Sequence, residues 1–414
     1  MKTIRNYALI TLCIFMQWCM AQDTAFISIF NEEIYGTRND QISIQFQYGV
    51  SSADITSTVV GTGSIQAINS MAVISSGAGT TASAQIQSVD IASYKPGHET
   101  DLFFTAFFPN GSAANSTQWI GLFDINNGIA IGFNGTTFSI LLRNNAVDTT
   151  IPQSSFNGDP LDGTGPSGFV LNTANINVFR IAFGWLGAAP IMFQIIDQNG
   201  DWITFHTIIL SNTIQAPTFS NPILPMTAQV TKTNSNTTDL QIRTASWNAA
   251  NIISQQPSPA LRDFAVSSSV IALNATGLET HLLTLQNKTT FQSKPNKIRV
   301  TIEIISGGTT STSFLLAQLV LRKNAIVNGL ILVDVDSANS VTQYSTSGTY
   351  VAGTGSLLLT LPGNAYGSGP INLLSGTGNI DVFINPGESL TVTGKDLSGG
   401  GNTGFASLAW YEQF

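Results

Sequence analysis

The chain has 414 residues, a formal net charge of −8, 10% charged residues and 43% hydrophobic residues. An acidic balance without clustered Lys and Arg excludes a partner held through nucleic-acid phosphates. The apolar content excludes an intrinsically disordered chain, and the length favours two or three domains.

The first element is a leader. Two positive charges in Met1-Lys2-Thr3-Ile4-Arg5 precede the apolar run Tyr7 to Phe15, and Cys19-Met20-Ala21 ends in a small residue. Residues 1–22 therefore read as a secretory signal peptide. The run falls short of the ~20 apolar residues that cross a bilayer. No later stretch is apolar enough, so no membrane span is expected and the protein is placed outside the cell or on a particle surface. Both cysteines, Cys13 and Cys19, lie in the leader. The mature chain is then left without disulfides, thiol catalysis or cysteine metal sites.

Strand signals dominate the rest of the chain. Ile42, Ile44, Phe46 and Tyr48 alternate with Gln41, Ser43, Gln45 and Gln47, a period of two that buries one face. Residues 51–88 are rich in Ser, Ala, Gly and Thr. They read as strands with small side chains or as a flexible connection, and composition leaves both open. Phe103, Phe104, Phe107 and Phe108 load both faces of one strand-like run, as expected for a strand inside a sandwich or against a partner.

Asn126-Asn127-Gly128 and Asn134-Gly135 punctuate three apolar runs. Asn and Gly tolerate the positive φ that tight hairpins need, so residues 118–143 read as a three-stranded meander. Asn199-Gly200 predicts another hairpin between Ile195-Ile196 and Trp202-Ile203. Two short helices are expected, near Ser246 to Ile253 and near Pro259 to Phe264. The prolines of Gln255-Gln256-Pro257-Ser258-Pro259 mark an extended linker at 255–259. It separates a large β-sandwich with an N-terminal strand region (23–254) from a second sandwich or jelly roll (260–414). In the latter, Val300, Ile302 and Ile304 alternate with polar residues, and Asn385-Pro386-Gly387-Glu388 forms a turn between two strands.

A resemblance emerges from Ser52-Ala53-Asp54-Ile55-Thr56, Tyr94-Lys95-Pro96-Gly97-His98-Glu99, Asp162-Gly163-Thr164-Gly165-Pro166-Ser167-Gly168 and Phe205-His206-Thr207-Ile208. Leu285-Gln286-Asn287-Lys288-Thr289-Thr290-Phe291-Gln292 and Pro386-Gly387-Glu388-Ser389-Leu390-Thr391 extend it. The series resembles uncharacterised β-rich virion structural proteins (fibre, appendage or surface) of tailed phages and large DNA viruses. That resemblance implies a surface, fibre or appendage component and brings no catalytic residues with it. The leader fits a eukaryotic virus or a related cellular gene better than a phage.

Candidate site residues are few. Asn110, Asn115, Asn134, Asn236, Asn274 and Asn287 head Asn-X-Ser/Thr sequons. Five are candidate N-glycosylation sites, and Asn134 is set aside because its Asn-Gly is committed to a turn. His98, His206 and His281 are far apart and lack metal-ligand spacing. Asp334, Asp336 and Asn339 are spaced like the start of a calcium loop but lack its glycine and distal glutamate, so they read as a turn, as do Asp159 and Asp162. Glu99, Asp101 and Glu303 are the acids a glycosidase pair would draw on, without a pairing signal. Trp119, Trp185, Trp202, Trp247 and Trp410 are either core or sugar-stacking platforms.

The expectation is an all-β chain of two β-sandwich or jelly-roll domains, the first resembling a lectin jelly roll. It is not expected to be an enzyme or to hold a metal or cofactor. It would be a non-catalytic structural subunit of an extracellular or virion-surface assembly, a homo-oligomer or a filament or particle neighbour. The alternative is a secreted carbohydrate-binding adhesin or lectin with glycan partners.

Overall fold

The computed structural model describes residues 37–233, 236–253, 261–309, 317–362, 368–372, 382–398 and 402–413. The expected signal peptide, residues 23–36 and the linker at 255–259 lie outside them. The chain divides into two compact units, Met1–Gln256 and Pro257–Phe414. Among the described residues both are built from antiparallel strands, with a single 3-10 turn at Gln153–Ser155. The fold class is all-β.

In the first unit a six-stranded sheet runs in the order β1 (Thr37–Gln45), β16 (Ser246–Ile253), β6 (Thr100–Ala106), β11 (Asn177–Phe183), β12 (Ile191–Ile196), β13 (Trp202–Ile208). A seven-stranded sheet runs β10 (Val147–Pro152), β9 (Thr137–Asn144), β8 (Gly128–Asn134), β7 (Ser116–Phe123), β14 (Leu224–Lys232), β5 (Ala82–Ala92), β2 (Ile55–Val60). A small sheet joins β15 (Gln241–Thr244), β4 (Met71–Ser75) and β3 (Ser64–Ile68).

One core fills the space between the large sheets. Leu102 and Phe104 of β6, Phe179 and Ile181 of β11, and Trp247 and Ala249 of β16 meet Ile120 and Leu122 of β7 and Met226 and Ala228 of β14 in one cluster. Trp247 stands edge-on to Phe46 at 5.2 Å, and Phe104 stacks on Phe179 at 5.8 Å. Each such fully buried large side chain contributes ~1.5–3 kcal/mol.

The meander expected at 118–143 is β7-β8-β9, with Gly128 and Gly135 at positive φ. Gly132 is fixed by close approach: a Cβ there would lie 1.8 Å from the Gln118 carbonyl oxygen. The Asn199-Gly200 hairpin joins β12 to β13, with Gly200 at φ 92. Residues 51–88 are strands throughout most of their length.

The second unit packs two more sheets. The first contains β17 (Leu261–Ser267), β32 (Thr403–Gln413), β22 (Val300–Thr309) and β29 (Ser368–Asn372), with β18 (Ile271–Ala272) on β32 and β30 (Val382–Ile384) on β22. The second runs β25 (Val333–Asp334), β26 (Thr342–Ser345), β19 (Glu279–Asn287), β31 (Ser389–Asp396), β23 (Ala317–Lys323), β28 (Ser356–Pro362). Two ribbons, β20 (Thr290–Phe291) with β21 (Lys294–Pro295) and β24 (Val327–Asn328) with β27 (Thr349–Tyr350), complete it. Trp410 lies in this core, stacked on Phe264 at 6.1 Å. Its indole N–H donates to Glu412, a buried carboxylate that also accepts from Ser340, Thr342 and the Val341 amide.

Where described, both expected helices are strands; Pro259 and Ala260, the start of the second, lie outside the described residues. Residues 246–253 are β16, paired on both sides by β1 and β6, and 261–264 open β17. Trp247 and Ala249 face the core while Ser246 and Asn248 do not; this period of two is hidden in the sequence by the small residues Ala249 and Ala250. The Asn385–Glu388 turn joins strands that belong to different sheets, since β30 pairs β22 while β31 pairs β19 and β23.

Candidate functional site

Along β6 the even residues Leu102, Phe104 and Ala106 are buried in the core, so Asp101, Phe103 and Thr105 project from the opposite, outer face. The register carries that face across the sheet. Phe103 lies opposite Asn248 of β16 and Arg180 of β11, Arg180 opposite Gln194 of β12, and Gln194 opposite Thr204 of β13. One transverse row therefore presents Asn248, Phe103, Arg180, Gln194 and Thr204.

Phe103 is its aromatic member. Trp202 meets it edge-on, with ring centroids 5.6 Å apart. The guanidinium of Arg38 sits 4.4 Å from the Phe103 centroid and that of Arg180 5.7 Å away. Cations over a ring face are held by its quadrupole. Of the tryptophans considered in the sequence, Trp202 is the exposed one, at 37%. Trp119, Trp247 and Trp410 are buried, and half-buried Trp185 packs on Tyr94 and donates to the Phe219 carbonyl.

The polar groups around the rings are pre-set. Arg180 donates to both oxygens of Asp101 at 3.0 and 3.1 Å, to Glu99 at 2.8 Å and to the Gln194 amide oxygen at 3.1 Å. That last bond fixes the Gln194 amide so that its nitrogen donates to Thr204 Oγ1 at 2.9 Å. On the other flank Arg38 donates to Asn248 Oδ1, and Asn248 Nδ2 donates to Asp40, both at 2.9 Å. A groove of about 460 Å³ opens beside Phe103, walled by Ser43, Gln45, Val178, Ser246 and Asn248. A ring flanked by oriented amides, hydroxyls and guanidinium groups matches a ligand with apolar C–H faces and hydroxyl rims.

The other sequence candidates fall elsewhere. Glu99 and Asp101 lie together, but as buried anchors of one guanidinium rather than as acids facing across a groove. Glu303 is in the second unit, its carboxyl pushed up by burial and by the charge of Asp263. His98 is half-buried, its Nδ1 beside the Pro96 carbonyl. His206 is capped by the Asn157 amide and its pKa is lowered by burial. His281 is buried, with Nε2 on Thr284 and a pKa lowered to about 4 by burial. Asp334 is held by Gln343 and Lys288, and Asp336 closes a turn by accepting from the Ala338 and Asn339 amides. In the Gly-rich loop Asp159 accepts from the Leu161 and Ser167 amides, and Asp162 from Thr164.

Among the sequons, Asn110, Asn115 and Asn274 are exposed and Asn236 is half-buried. Asn110 and Asn236 spend their side-chain N–H groups on the Asp239 and Ala114 carbonyls. Asn287 corrects the sequence reading. It is fully buried, and Nδ2, the atom a glycan would need, donates to the Ile298 and Ile384 carbonyls at 2.8 and 3.1 Å. The sequence reading missed the Phe103–Arg180–Gln194 row, because strand order decides which outward residues become neighbours.

No family model and no curated protein matches the chain. Solved structures do. A glycosyl hydrolase family 16 protein from Mycobacterium smegmatis is 12% identical over 51% of this chain and 100% of its own, with a TM-score of 0.36. Lectin I-B4 from Griffonia simplicifolia is 13% identical over 51% and 100%, TM-score 0.32. The exoplasmic/lumenal domain of VIP36, bound to Ca2+ and Man3GlcNAc, is 10% identical over 54% and 92%, TM-score 0.35. The expectation that the chain is not an enzyme is corrected by these findings, because hydrolases stand among the similar structures alongside lectins. No helix among the described residues is long and apolar enough to cross a membrane.

Proposed function

We propose that the chain binds carbohydrate through the outer face of the six-stranded sheet of its first unit. The observation that carries this is the Trp202–Phe103 pair, an exposed indole against a half-buried ring, on a sheet face whose flanking amides and hydroxyls are already oriented. A pyranose ring offers axial C–H groups to an aromatic face and hydroxyls to Asn248 and Thr204. Glu99 and Asp101 keep Arg180 in place, so little conformational freedom is lost on binding.

The test is a glycan microarray probed with the full chain and with Trp202→Ala. Selective binding that disappears in the variant supports the reading, and an array without a hit overturns it. Reducing-sugar release from the same glycans separates binding from turnover.

A further inference from the structure

The two large sheets of the first unit have four edges, and three are blocked. The β13 edge is covered by the loop around Asn157: the Gly158 and Asp159 amides donate to the Phe205 and Thr204 carbonyls, and the Asn157 side chain bonds both the N–H and the C=O of Thr207. The β10 edge ends at Pro152 and carries Asp148, held by Arg143 at 2.6 Å. The β1 edge carries Arg38 and Asp40. Proline, charge and a covering loop are the devices by which proteins stop strands from pairing.

The fourth edge, β2, has none of them. Its sequence, Ile55-Thr56-Ser57-Thr58-Val59-Val60, holds no charge and no proline, and is almost wholly β-branched. It pairs β5 on one side, and among the described residues nothing pairs the other. Thr56 to Val60 are exposed, Val59 and Val60 each at 53%.

We infer that β2 is a self-association edge, pairing antiparallel with β2 of a second copy to continue the seven-stranded sheet. Centred between Ser57 and Thr58, the pairing sets Ile55 against Val60, Thr56 against Val59 and Ser57 against Thr58 of the second copy. The nearest charge, Asp54, falls opposite Gly61 of the second copy, so two chains of net charge −8 meet without opposing carboxylates. Opposed β-branched and hydroxyl side chains are favourable cross-strand pairs. Six residues span only ~20 Å, and a strand pair of that length covers less than the ~1,200 Å² of a stable interface. The dimer is therefore weak and concentration-dependent.

The experiment is sedimentation velocity of the full chain from ~5 to ~500 μM, beside Thr58→Lys and a control, Thr150→Lys on the blocked β10 edge. The wild type and the control shift from monomer to dimer as concentration rises, and Thr58→Lys stays monomeric with an unchanged melting temperature. A wild type monomeric throughout, or a Thr58→Lys variant that dimerises like the wild type, overturns the inference. If Thr58→Lys fails to fold, Val59→Lys, at a position 53% exposed, replaces it and lowers the dimer fraction at each concentration; an unchanged fraction counts against the edge. Trp202→Ala, on the other sheet, leaves dimerisation intact, so the two proposals fail separately.

Discussion

Trp202 stands edge-on to Phe103, with ring centroids 5.6 Å apart and planes at 69°. The rings come from β13 and β6, which are not adjacent in the sheet; β11 and β12 lie between them. The contact crosses the row that Arg180 and Gln194 occupy, so aromatic rings and oriented polar groups share one surface.

Replacing Arg180 tests how that surface is held. Arg180→Ala leaves Glu99 and Asp101 buried without their guanidinium, which costs about 3–5 kcal/mol. Arg180→Lys keeps the charge but loses the fork that bonds Asp101 and Gln194 together. Chemical denaturation should rank wild type above Lys above Ala. Equal midpoints for all three would mean that the cluster does not support the sheet.

His281 makes the second unit acid-sensitive. Burial lowers its pKa to about 4, whereas an unfolded histidine titrates near 6.5. The neutral form is the native one, so its contribution is complete above ~6.5 and is lost as pH falls through that window, because the unfolded chain takes the proton first. The loss approaches about 3 kcal/mol near pH ~4 and levels off below it. Urea titrations of wild type and His281→Gln at pH ~7 and ~4.5 should show a flatter pH dependence in the variant. Parallel slopes would remove His281 from the account.

Sequon use depends on which Nδ2 atoms are available. Asn115 and Asn274 are exposed, and peptide mapping of protein secreted from a eukaryotic host should find glycan on them and none on Asn287. Asn287→Gln, with no glycan to lose, should still destabilise the fold by about 1–3 kcal/mol through its orphaned buried partners. Glycan on Asn287 would mean that this strand end is not formed as described.

Gly132 is a packing requirement. Gly132→Ala sets a Cβ against the Gln118 carbonyl at a φ of 149°, and should lower stability by about 1–3 kcal/mol. A thermal melt unchanged from wild type would contradict the β7–β8 register.

Much of the fold was legible locally. Asn-Gly pairs fixed the β8–β9 and β12–β13 hairpins, and alternation found the second half of β1 and the start of β22, although the strand ends at Gln45, and Tyr48, expected on the buried face, is exposed. Residues 246–253 misled because small Ala249 and Ala250 mask the alternation that Trp247 and Asn248 express. The site was legible only in part. Trp202 and Thr204 could be set on one face from their spacing, but Phe103 and Arg180 join them only through strand order. Asn287 looked like any other sequon, since nothing local shows that β19 is central.

The most direct measurement is calorimetric titration of an array-positive glycan into wild type, Trp202→Ala and Phe103→Ala. Binding through this face predicts a loss of about tenfold or more in affinity for each variant, with the melting temperature of Trp202→Ala nearly unchanged. Affinities equal to wild type in both variants would contradict it and move the ligand to another surface.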